Sequence, residues 1–147
     1  MPFTSRLQIF LASAWAGILV AVGAIAAPSL FAVLDRAQAG MGAGRIFAVE
    51  AYVSLALAMA LFFMERQRTR SATFQTRQSV MSAELLLVMG ALFATVLGHF
   101  ALSPMIVAAK AGEGRLSFGA LHAMSSGLFA FKGLLVLALA WRLTGRR

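Results

Sequence analysis

The chain has 147 residues, of which 61% are hydrophobic and 12% charged, and its mean hydropathy is +0.85. A water-soluble fold of this length cannot hide so much apolar surface, so a bilayer is the solvent for most of it. The net charge of +8 then marks loops that meet anionic headgroups, not a nucleic-acid site, because no basic patch is interleaved with aromatics; the absence of cysteine excludes disulfides, thiolate metal sites and cysteine nucleophiles.

The first span is predicted over about residues 7–27. Its small-residue end, AIAAP, has the look of a signal-peptide cleavage site, but the apolar run is too long for one and Pro28 crowds the site, so a retained helix is expected. After it comes an amphipathic stretch and then GMGAGR (40–45), read as a turn, before a second span over 46–64. A polar connector, 65–82, divides the chain into two hairpins. The third span covers 83–102, KAGEGR (110–115) forms the second glycine-rich turn, and the fourth span covers 116–141. The expected fold is all-α, a single transmembrane domain built as a four-helix bundle.

Basic residues orient it. Arg6, Arg66, Arg68, Arg70, Arg77, Arg142, Arg146 and Arg147 fall on one side, against Arg36, Arg45, Lys110 and Arg115 on the other. By the positive-inside rule both termini and the connector are cytoplasmic, as in a multi-pass protein of a bacterial inner membrane. The two hairpins resemble each other, each with Pro at the outer end of a helix, a glycine-rich turn, and Arg, Phe and Ser opening the next (Arg45, Phe47, Ser54; Arg115, Phe118, Ser125). A duplication would relate them by a pseudo-two-fold along the membrane normal. Small residues at every fourth position, Gly17 and Ala21, then Gly90, Ala94 and Gly98, then Gly119, Ala123 and Gly127, predict close helix packing.

Ionisable groups inside the spans are the candidate working parts. Lys132 lies nine residues from Trp141, about 13 Å along the helix. It is expected to snorkel to the cytoplasmic headgroups or to pair with Glu84. His122, His99 and Glu50 all fall in the outer third of the membrane, with Ser125 and Ser126, Thr95, and Ser54 respectively one turn below them. A carboxylate and two imidazoles are costly against lipid tails, so they are expected to face one another or a watery cleft. Three readings stay open: a hydrogen-bond network that sets register, a binding site for a metal, cofactor or small polar solute, and a proton relay or catalytic centre. His122, His99 and Glu50 would make an adequate shell for a divalent metal. His99 and His122 could ligate haem across one hairpin.

Trp15 and Gly17, Pro28 and Phe31, Gly40, Arg45 and Phe47, and Phe118 with His122 and Ser125 form an ordered set of short motifs. With Pro104, and in this order, the set resembles the transmembrane protein 205-like family, in its bacterial branch of unknown function. The resemblance implies a four-helix membrane protein with no established reaction. Eukaryotic relatives linked to platinum-drug tolerance imply handling of small molecules or metals. His99 departs from the pattern. A looser likeness, in the Trp-x-Gly and Pro-x-Leu-Phe stretch, is to membrane proteins of the haem-dependent protoporphyrinogen oxidase and copper-resistance type. The expected role is therefore a small-molecule or metal binding, transport-accessory or stress-tolerance protein. The alternatives are a haem-binding oxidoreductase and a structural subunit, and with so few spans a homo-oligomer is expected. Signatures of soluble enzymes are lacking: there is no phosphate-cradling loop, zinc-protease helix or serine-nucleophile elbow.

Overall fold

The computed structural model describes residues 2–76 and 81–145, with side chains throughout except those of 71–76. Arg77, Arg146 and Arg147, counted above for orientation, lie outside the described residues. Four helices carry the fold: α1 (Phe3–Val33), α2 (Arg36–Thr76), α3 (Ala83–Lys110) and α4 (Phe118–Thr144). Each is long and apolar enough to cross a membrane, and among the described residues there is no strand. Neighbours pack in chain order around a ring, with α4 closing back on α1. This is an up-and-down four-helix bundle in which α1 faces α3 across one diagonal and α2 faces α4 across the other. Large apolar side chains such as Phe10, Ile25, Phe93 and Leu134 stay exposed on its outside, the surface that lipid solvates.

Two sequence-based boundaries move. GMGAG is not a turn: α2 begins at Arg36 and runs through it. The reversal is made instead at Leu34, in extended conformation, and Asp35, whose carboxylate accepts from the backbone N–H groups of Ala37 and Gln38 at 2.9 Å each. That N-cap satisfies the exposed donors of the first turn and starts the helix before the glycines are reached. At the other end α2 continues past the expected span end to Thr76, through residues expected to form the polar connector. No Gly or Pro occurs between Arg45 and Thr76 to stop it, so the 41-residue helix is about 60 Å long and overhangs the bilayer. The turn expected at 110–115 is present, with Gly112 and Gly114 at φ of 79° and 103°, backbone that L side chains rarely adopt. Ser82 and Ser117 cap α3 and α4.

Helices α1 and α3 share an unusual feature. Each contains one wide, π-type turn, Ala21–Ala26 in α1 and Leu97–Leu102 in α3. In both, a proline follows the turn's last residue by two positions, Pro28 and Pro104. Proline lacks the N–H that the fourth preceding carbonyl needs, and its ring pushes that carbonyl aside; a wide turn re-pairs the displaced groups.

The small-residue ladders do not all pack. On α3, Gly90 and Gly98 accept Leu135 and Leu128 of α4, with 3.0 Å and 3.6 Å between those side chains and the place a Cβ would take. On α4, Gly119, Ala123 and Gly127 are exposed, and Gly17 of α1, also exposed, has nothing beside it. The reason is rotation: α4 turns Leu121, Lys132, Val136, Leu139 and Leu143 inward, which leaves its glycine stripe facing out.

Candidate functional site

On α2 the buried positions Glu50, Ser54, Ala58, Leu61, Glu65 and Thr69 recur every three or four residues, a stripe that faces the bundle axis. It is apolar except at two levels, and each level is a polar layer.

The inner layer lies deep in the bundle. Lys132 crosses the α2–α4 diagonal and its Nζ donates to both Glu50 oxygens, at 2.8 Å and 2.9 Å. Ser54 donates to Glu50 Oε1, and the indole N–H of Trp15 donates to Ser54 Oγ at 2.7 Å. Lys132 and Glu50 are each 4% exposed, Ser54 and Trp15 less. Three helices thus contribute to one closed network around a carboxylate–ammonium pair. The expected snorkelling of Lys132 does not occur, nor does its pairing with Glu84. A helical side chain leaves its backbone tilted toward the N-terminus; on α4 that direction leads away from the Trp141 end and toward Glu50. Glu84 pairs with Arg142 instead, Nε to Oε1 at 3.0 Å.

The second layer sits at the end of the bundle that holds both termini. Glu65 accepts from Gln8 at 3.3 Å and from Ser82 at 2.8 Å, with Arg68 3.7 Å away. Between the layers lie Ala12, Ala58, Leu61, Val88, Val136 and Leu139, all buried and apolar. Among the described residues these apolar side chains separate the Glu50 network from the Glu65 layer.

Toward the opposite, loop-bearing end, the next layer is aromatic. Phe47 and Phe129 meet edge to face at 5.1 Å, one helical turn beyond Glu50 and Lys132 and again across the α2–α4 diagonal. Lys132 Nζ lies 5.0 Å from the Phe129 ring centre, a cation–π distance.

The remaining predicted residues are dispersed. Thr95 is buried but bonds its own helix, at Ala91 O, 2.8 Å. His99 is half-buried between the Tyr52 and Phe100 rings, at 5.2 Å and 4.9 Å. His122 is exposed and stacked on Phe118 at 5.6 Å; Ser125 is half-buried and Ser126 exposed. With Glu65, Glu84 and Arg142 as one edge of the hydrocarbon, about 20 residues, or 30 Å, along the helices lead to Arg45, Pro104 and His122. His122 therefore sits at the far interface, where exposure carries little cost. The shell of His122, His99 and Glu50 expected for a metal does not assemble: Glu50 is committed to Lys132, and no group of three His, Asp or Glu able to hold a metal forms among the described residues. The two imidazoles pack on different rings, His99 on Tyr52 and Phe100 and His122 on Phe118.

Of the motif positions, Trp15 enters the inner layer, Phe47 the aromatic one, and Pro28 and Pro104 follow the wide turns. Gly40 lies beside Lys110, which is 5.4 Å from the Phe118 ring. Gly17, Phe31 and Arg45 are exposed. Sequence reasoning missed the pairing of Lys132 with Glu50, the part of Trp15, and the whole layer around Glu65. The signal available was the shared stripe, Glu50 and Glu65 on α2 and Lys132 in step with Val136 and Leu139 on α4.

No curated protein and no solved structure matches the chain. One family does, over residues 10–115, a range that contains Trp15, Phe47, Glu50 and Ser54 and stops short of Lys132. The chain belongs to that family, described as a domain of unknown function, DUF4149.

Proposed function

We propose that the protein is a membrane-embedded small-molecule binding or transport-accessory protein whose site is the Glu50–Lys132 pair with Ser54 and Trp15. One observation carries this reading: a bidentate carboxylate–ammonium pair, closed across the diagonal of the bundle and separated by an apolar layer from the polar layer at the terminal end. Two ions taken out of water cost several kcal/mol each, and a well-packed apolar pair of the same size holds a bundle as well or better. Ionisable pairs inside membranes mark ligand and ion sites for that reason. The pair is electroneutral, so an occupant that parts it in so apolar a setting brings one charge of each sign, or none. Small zwitterions and neutral polar solutes fit; a lone ion does not. The basic residues argue for a bacterial inner membrane with both termini cytoplasmic. The resemblance to transmembrane protein 205-like proteins adds stress tolerance as the physiological setting.

The test is a melting curve of the protein in mild detergent, with glycine, β-alanine, methylammonium chloride and sodium acetate added in turn. A zwitterion should raise the midpoint of the wild type, as any ligand of the native state does, and leave Glu50→Gln/Lys132→Met unmoved. Equal shifts in both proteins, or none in either, would sink the proposal. A second reading, a structural subunit in which the pair is a register pin, is favoured by the complete satisfaction of buried side-chain polar atoms among the described residues. On that reading the panel is silent in both proteins.

A further inference from the structure

The Glu50–Lys132 layer is closed differently on its two sides. Toward the termini the closure is several side chains thick. Toward the loops Phe47 meets Phe129 edge to face across the diagonal, with Leu102, Leu121, Ala43 and Ala39 buried beyond them. The backbone that frames this contact is the least regular in the bundle. The wide turn of α1 contains Gly23, whose missing Cβ leaves room for Phe129: a Cβ there would lie 2.7 Å from the ring's Cε1. On the facing helix, the wide turn of α3 contains Gly98, packed against Leu128, the neighbour of Phe129. Two wide turns thus stand at opposite corners of one level, with an aromatic bridge between the other two corners. Wide turns recur at functional sites in helices, and the prolines two residues beyond lack the N–H that would bond each outer helix segment to the turn before it.

We infer that Phe47 and Phe129 form a gate over the Glu50–Lys132 site, opening toward the loop-bearing end by movement of the α1 and α3 segments beyond their wide turns. Access is one-sided, since both wide turns stand on the loop side of the pair and the α3 turn itself carries the buried Leu102. The proposal rests on the binding reading above and adds the route by which a solute reaches the pair. Lys132 couples the two: its ammonium touches both the carboxylate and the gate ring, so parting the pair withdraws the cation that holds Phe129 in place.

The chain has no cysteine, so Ser54→Cys places a single thiol behind the gate. A membrane-impermeant methanethiosulfonate is applied to each face of sealed membrane vesicles in turn, and Glu113→Cys, on the exposed loop, identifies the loop-end face. Ser54→Cys alone should label slowly. Adding Phe129→Ala should speed labelling from the loop-end face about tenfold, the effect of a 1.4 kcal/mol shift in an opening equilibrium. Gly23→Ala should do the same by displacing the ring, and it decides the matter should Phe129→Ala fail to fold. A folded variant that labels at the parent rate, or equally fast from the terminal face, overturns the gate. No solute takes part in this experiment, so its failure leaves the melting test of the binding reading intact, and a silent panel leaves the gate intact.

Discussion

Breaking the buried pair from one side or from both should give opposite results. Lys132→Met removes the ammonium and leaves the Glu50 carboxylate, 4% exposed, with Ser54 as its remaining donor. Two charge-assisted bonds disappear and an uncompensated charge stays behind; losses of this kind run to about 3–5 kcal/mol. Glu50→Gln strands the ammonium in the same way, with the same rough cost. The double variant strands nothing. Glutamine can still accept from Ser54, and methionine fills most of the lysine's volume, so its stability should fall within about 1 kcal/mol of wild type or exceed it. The assay is reversible unfolding in mixed detergent micelles, followed by the fluorescence of Trp15 with the exposed Trp141 replaced by phenylalanine. A complete double-mutant cycle isolates the coupling from the cost of each truncation. The reasoning is refuted if Lys132→Met costs less than about 1 kcal/mol, or if the double variant is less stable than both singles.

Other consequences are narrower. Trp15→Phe keeps an aromatic ring but loses the 2.7 Å bond to Ser54; unfolding followed by far-UV circular dichroism should show a cost of at least about 0.6–1.7 kcal/mol, the range for interhelical hydrogen bonds in membrane bundles, because the smaller ring also leaves a void. Gly90→Leu drives a side chain into Leu135 and should cost about 1–3 kcal/mol, whereas Gly127→Leu, with open space beside it, should change stability by no more than about 0.5 kcal/mol. A result in the reverse order would mean that the inward and outward faces of α4 are misassigned. His122→Ala should leave stability within about 0.5 kcal/mol of wild type and leave any response to the solute panel unaltered; a lost response would return the imidazole to the site.

Much of the architecture is legible because bilayer thickness fixes helix length, and long apolar runs have few other outcomes. The errors arise where one helix cannot be read without its neighbours. GMGAG looks like a turn by composition, but Asp35 caps α2 five residues earlier, and glycine tolerates a helix it did not choose to start. Lys132 read along its own helix has only the headgroups as a destination; its partner lies on the opposite corner of the bundle, a relation set by rotation of two helices and by no spacing in the chain. His122 looks deep when measured from the start of its helix, yet the Arg142–Glu84 pair sets the opposite edge and moves His122 to the interface. Glu50 and Ser54 were recoverable because they stand one turn apart on one stripe, so local geometry was enough.

The sequence distance between Glu50 and Lys132 has a consequence for how the chain is made. Lys132 follows Glu50 by 82 positions, so at about 5–20 residues per second the ribosome adds the counter-charge roughly 4–16 seconds after the carboxylate. During that interval α2 enters the bilayer carrying an acid without its counter-charge, a burden against which the apolar run around it must prevail. Trp15 and Ser54 are already synthesised and hydrogen-bond the acid's surroundings before α4 exists. A nascent chain stalled before Lys132 therefore holds three helices around a carboxylate whose ammonium partner is not yet made.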